Sequence, residues 1–96
     1  MIRLDCSDIA VLFRNNTGVL QDRNGRPVKF GLAVGGGDIV GLRKRDGKFI
    51  SIEAKLPGKN PTIEQASFIT AIRANGGLAG VAHNVEEARK IILGEM

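Results

Sequence analysis

Gly37-Asp38-Ile39-Val40-Gly41-Leu42, then Arg43-Lys44-Arg45-Asp46-Gly47, then Lys48-Phe49-Ile50-Ser51-Ile52-Glu53-Ala54-Lys55 is the stretch that decides the fold. Residues 38–42 and 48–55 read as strands, paired through the basic turn at 43–47. Side chains alternate along a strand, so Ile50, Ile52 and Ala54 share one face while Phe49, Ser51, Glu53 and Lys55 share the other. Asp38, at the start of the first strand, comes near Glu53 on the second.

Reading outward, Leu56-Pro57-Gly58-Lys59-Asn60-Pro61 is a breaker-rich loop. Thr62 with Gln65 three residues on has the capping-box pattern and opens a helix to about Asn75, with Phe68, Ile69 and Ile72 on its apolar side. Gly76-Gly77 stops that helix, and residues 78–82 form a short buried strand. Asn84 caps a last helix with Glu87 at N3, where Val85, Ala88, Ile91 and Ile92 recur at helical spacing. Upstream, residues 9–13 are a short apolar run ended by Asn15-Asn16-Thr17-Gly18. Residues 19–21 and 27–30 flank Asn24-Gly25, which favours a tight hairpin. A loop through Gly35-Gly36-Gly37 leads back to Asp38. Strands followed by helix, strand and helix give a mixed α/β class, with parallel pairing around the first helix in an otherwise antiparallel sheet.

Ninety-six residues make one small domain with one compact core. Fourteen Lys and Arg against ten Asp and Glu leave +4, which suits a polyanionic partner and equally a solvated surface. One Cys and one His exclude an internal disulfide and any Cys/His zinc cluster within one chain. No apolar run approaches a membrane span, and the first residues lack a signal-peptide core, so the cytoplasm is the expected location.

Asp38 and Glu53 together would form a hard-oxygen site of low ligand count. Mg²⁺ suits such a site, because it retains waters and shares positions with substrate phosphate. A metal there polarises a phosphodiester, and Lys55 beside it can orient water or offset developing negative charge. Taken alone, Glu-x-Lys on an exposed strand is also the pattern of a solvated ion pair. An Asp after a glycine run is also an ordinary turn residue. Gln65 has two readings as well: capping-box partner or cleft residue. His83 reads as a loop residue and Cys6 as a small apolar filler or an exposed end residue. The glycine run is not a P-loop, since no Gly-Lys-Ser/Thr follows and a strand comes next.

Arg14-Asn15-Asn16-Thr17-Gly18, Gly35-Gly36-Gly37-Asp38-Ile39-Val40-Gly41, Ile52-Glu53-Ala54-Lys55, Thr62-x-x-Gln65 and Gly76-Gly77 occur in this order. Across roughly residues 13 to 93 the chain resembles a VRR-NUC domain, the virus-type replication-repair nuclease branch of the PD-(D/E)xK superfamily. The resemblance implies a restriction-endonuclease-like mixed sheet with a strand–helix–strand crossover and a C-terminal helix. It implies Asp38, Glu53 and the Ala54 carbonyl as ligands of Mg²⁺ or Mn²⁺, Lys55 as the catalytic lysine, and Gln65 facing the same cleft. Two departures stand out. Gly37 occupies the position where the superfamily name has Pro, and the initial helix with its acidic ligand is not evident, leaving Asp5 or Asp8 as substitutes.

With no Trp or Tyr the chain has few platforms for stacking single-stranded bases. Arg14, Arg23, Arg26, Lys29, Arg43, Lys44, Arg45, Lys48 and Lys59 lie in turns and loops, where cations hold phosphates without reading sequence. Arg43, Lys44, Arg45 and Lys59 are the expected nucleic-acid contacts, although a basic turn also serves solubility. The expectation is a structure-selective DNA endonuclease acting on four-way, Holliday-type junctions as a homodimer. The rivals are a flap or general nuclease of the same chemistry and a DNA-binding module without cleavage.

Overall fold

The computed structural model describes residues 6–15, 18–21, 23–30 and 37–95. Four strands, β1 (Ala10–Arg14), β4 (Ile39–Arg43), β5 (Phe49–Ala54) and β6 (Leu78–Ala82), form one sheet in the order β1-β4-β5-β6. Between β1 and β4 the chain makes a separate two-stranded hairpin, β2 (Gly18–Gln21) with β3 (Pro27–Phe30). Gly25 in its turn has φ +78°, the left-handed conformation that the Asn-Gly pair anticipates. Helix α1 (Ile63–Ala74) connects β5 to β6, and α2 (Val85–Leu93) follows β6. β1–β4 and β4–β5 pair antiparallel and β5–β6 parallel, as expected of a strand–helix–strand crossover in a mixed sheet.

One face of the sheet holds the core. Ala10 and Leu12 from β1, Ile50 and Ile52 from β5 and Ala82 from β6 pack with Cys6 and with Ala88, Ile91 and Ile92 of α2. Each of the buried isoleucines contributes about 1.5–3 kcal/mol of burial. Cys6 is therefore the apolar filler of its two readings, fully buried. The spacing that predicted α2 is the spacing that buries it, and Asn84 caps it by accepting from Glu87 N at 2.8 Å.

The opposite face departs from the simple alternation. Ser51 and Glu53, on the outward face by periodicity, are 1% and 4% exposed. Over Glu53 the reason is α1, which packs on β6 and β5 and sets Gln65 against the carboxyl; at Ser51 it is Gly37, whose N–H donates to the hydroxyl. Its capping box is present as expected, yet no residue of α1 is fully buried. Phe68, Ile69 and Ile72 are half-buried, while Ile63 is 84% exposed. Among the described residues no helix is long and apolar enough to cross a membrane.

Candidate active site

The Ile39–Ile52 pair is the last of the β4–β5 ladder, and beyond it lie Asp38 on one strand and Glu53 on the other. The Asp38 Oδ2 accepts from the Ala54 N–H at 3.3 Å, which ties the exposed carboxylate to the end of β5. Glu53 is buried beside it. Its Oε1 accepts from Gln65 Nε2 at 2.8 Å and lies 3.8 Å from Lys55 Nζ. Its Oε2 is buried with no hydrogen-bond partner. Burial first, then the neighbouring Asp38 carboxylate, pushes the Glu53 carboxyl up to about 7, and Lys55 offsets part of this rise.

Gln65 does both things that its sequence position allowed. Its Oε1 accepts from Thr62 N at 2.8 Å as the capping box requires, and its Nε2 holds Glu53. The first turn of α1 is thereby fixed to the carboxylate on β5. Asp38, Glu53, Ala54, Lys55 and Gln65 thus meet at one end of the β4–β5 hairpin.

The surroundings of Gly37 call for glycine. Its N–H donates to the buried Ser51 Oγ at 3.2 Å, a bond that proline could not make. A Cβ at this position would stand 2.5 Å from Ser51 Oγ and 2.9 Å from the Ile52 N and O, so the turn before Asp38 can lie against β5 only as glycine.

The cations divide. Lys44, Arg45 and Lys59 are exposed. Arg43 corrects the expectation that it contacts phosphate: it is 5% exposed and each nitrogen of its guanidinium donates within the fold. Its Nε and Nη2 donate to Asp46 Oδ1 and Oδ2 at 3.0 and 2.6 Å, and its Nη1 donates to Ile92 O at 2.9 Å. The residue closes β4 and locks the turn to α2. Asp46, three residues on, was the sequence signal for it.

Asp8, one of the proposed replacement ligands, pairs instead with Arg89 on α2, accepting at 2.8 and 3.0 Å. Asp5 lies outside the described residues. His83 is more than a loop residue. Its Nδ1 is 2.9 Å from Glu87 Oε1 and its Nε2 3.2 Å from Lys59 O. Both nitrogens face acceptors, a pattern only the imidazolium serves with two donors. The Lys59 carbonyl and then Glu87 accordingly raise its pKa.

Among the described residues no group of three or more His, Cys, Asp or Glu is placed to hold a metal ion. The donor set of Asp38 and Glu53 nevertheless fits a hard divalent cation that keeps water and substrate oxygens in its remaining positions. The buried, unpartnered Glu53 Oε2 is the atom such an ion would satisfy. Compared with known proteins, the chain matches no family model and no curated relative.

Proposed function

We propose that this chain is a divalent-metal-dependent, structure-selective DNA endonuclease of the VRR-NUC type, with a restriction-endonuclease-like fold. The observation that carries the reading is Glu53. A buried carboxyl with one oxygen held by Gln65 and the other without a donor, facing Asp38 and Lys55, is costly to ionise unless a cation completes it.

Asp38, Glu53 and the Ala54 carbonyl would hold Mg²⁺ or Mn²⁺, which supplies Lewis acidity to the scissile phosphodiester. Gln65 keeps the Glu53 carboxylate in one orientation. Lys55, half-buried beside Glu53, donates toward the phosphoryl oxygen or the attacking water and offsets the charge that develops there. Lys44, Arg45 and Lys59 contact phosphates of the flanking DNA, which positions a duplex by shape rather than by sequence. A homodimer with two-fold symmetry would bring two such sites to one four-way junction.

Labelled four-way, flap, nicked and hairpin DNAs incubated with Mg²⁺ or Mn²⁺ test the proposal. Paired cuts in the four-way junction that disappear in chelator are the expected result. Preferential cutting of the flap would replace the junction with another substrate of the same chemistry. Equal binding in metal and chelator with no cleavage of any DNA would make the chain a binding module. Sedimentation at micromolar concentration tests the dimer, and a clean monomer with full activity would remove it.

A further inference from the structure

We infer that Asn15 is a positioning residue for Asp38, closing the neck of the long β1–β4 connection one residue from the carboxylate. The inference rests on the reading of Asp38 as a metal ligand. β1 and β4 separate after the Arg14–Ile39 pair, and the β2–β3 hairpin lies within the excursion between them. At the point of separation Asn15 makes two bonds to the returning chain. Its backbone N–H donates to Asp38 O at 2.8 Å, and its Nδ2 donates to Gly37 O at 3.0 Å. From the other side, the Ser51 hydroxyl accepts from Gly37 N at 3.2 Å.

The Gly37–Asp38 peptide segment is thus gripped by Asn15, directly after β1, on one side and by β5 on the other. A carboxylate on an exposed turn would otherwise sample several directions. Here its backbone carbonyl, the preceding carbonyl and the preceding N–H are all committed to fixed strands. Only the side-chain torsions remain, and the Ala54 N–H restrains those at Oδ2. Of these groups the Asn15 amide is the one side-chain donor, and a substitution can remove it without touching the ligands or the buried Ser51 hydroxyl on β5. Outer-sphere groups of this kind typically carry about 10–100-fold in metal affinity or activity.

The test compares wild type with Asn15→Ala and Asn15→Leu, the second keeping the side-chain volume while dropping the donor. Three quantities are read: Mn²⁺ affinity from its free-ion paramagnetic resonance signal, kcat and KM on the preferred DNA, and amide exchange at residues 15 and 54. Both variants should lose on the order of 10–100-fold in Mn²⁺ affinity and kcat with KM for DNA unchanged. Exchange at both amides should quicken. Wild-type exchange rates at residues 15 and 54 in both folded variants would overturn the clamp, whether or not the protein cuts DNA. Faster exchange with unchanged Mn²⁺ affinity and kcat would overturn the link from clamp to site. Faster exchange in the variants of a protein that cleaves no DNA would uphold the clamp and overturn the nuclease reading instead.

Discussion

The two ends of the β4–β5 hairpin each bury one ionisable group, and they treat it in opposite ways. At the turn end every nitrogen of Arg43's guanidinium has a partner in Asp46 or the Ile92 carbonyl, and Arg43 holds the Asp46 carboxyl down at about 2. At the other end Glu53 has one oxygen without a partner, beside a second carboxylate, and its pKa rises to about 7. The first arrangement compensates its buried charge, so that removing one partner is what would cost the fold. The second is uncomfortable without something more, and that discomfort marks the end where chemistry is proposed. Burial of a charge by itself therefore says little about function; whether its hydrogen bonds are complete says more.

The largest effect expected is at the incomplete end. On the proposed function, Asp38→Asn or Glu53→Gln would remove a metal ligand worth several kcal/mol to the transition state, so cleavage should fall by ~10³-fold or more. DNA binding in chelator should persist or tighten, since each change removes a negative charge facing phosphate. Gel-based cleavage and binding measured in parallel check this, and near wild-type cutting by either variant would remove both residues from the site.

At the complete end the loss should appear in stability instead. Arg43→Ala strands the Asp46 carboxylate and the Ile92 carbonyl, and should lower the melting temperature by roughly 10–20 °C. Asp46→Asn should cost less, because Arg43 would still donate to Ile92. A calorimetric melt of Arg43→Ala within a degree or two of wild type would show that the turn does not lock α2.

Much of this contrast could be read from the chain before folding, and part could not. Alternation in residues 49–55, the capping box at Thr62 and the apolar spacing in α2 are local patterns, and the elements formed where those patterns lay. The meeting of Asp38, Glu53 and Lys55 followed from strand period and one short turn. The burial of Ser51 and Glu53 did not, because it depends on Gly37 and α1 lying against a face that the alternation of β5 leaves outward. Arg43 was misread for a related reason: three successive cations look alike in a row, and only the third dimension turns the first of them inward toward Asp46 and Ile92. Asn15 and Ser51 were overlooked as site residues because their bonds reach a glycine's backbone, which carries no chemical signature of its own.

A smaller effect of opposite sign follows from Glu53. Its folded pKa lies above the ordinary value of 4.5, so the fold favours the protonated carboxyl. Below pH 4.5 the carboxyl is protonated in folded and unfolded chains alike, and the contribution to stability is fully present. It is lost as pH rises toward about 7, where the folded protein must charge a buried group. Glu53→Gln never charges, so in metal-free buffer it should match wild type at acid pH and exceed it by ~5 °C at pH 8. The same substitution would then abolish cleavage and raise stability, as expected where a site is held ready at the expense of the fold. Equal melting temperatures at pH 8 would mean that the unpartnered oxygen costs the protein nothing.

The smallest expected effect separates the remaining cations of the turn from Arg43. Lys44 and Arg45 are exposed at the far end of the hairpin from Asp38 and Glu53, so on the proposed function they would reach a neighbouring arm of DNA without touching the metal. Each phosphate that a cation neutralises on duplex DNA contributes about −0.9 to the log–log slope of affinity against salt. Replacing both residues with Ser should therefore flatten that slope by up to ~2 units and weaken binding to all sequences about equally. The rate at saturating DNA should change little. Thermal stability should change little as well, since neither side chain takes part in the lock that Arg43 makes with Asp46 and Ile92. An unchanged slope with unchanged affinity would assign Lys44 and Arg45 to solubility, and the phosphate contacts would then have to be sought at Lys59, on the loop that His83 ties down through the Lys59 carbonyl.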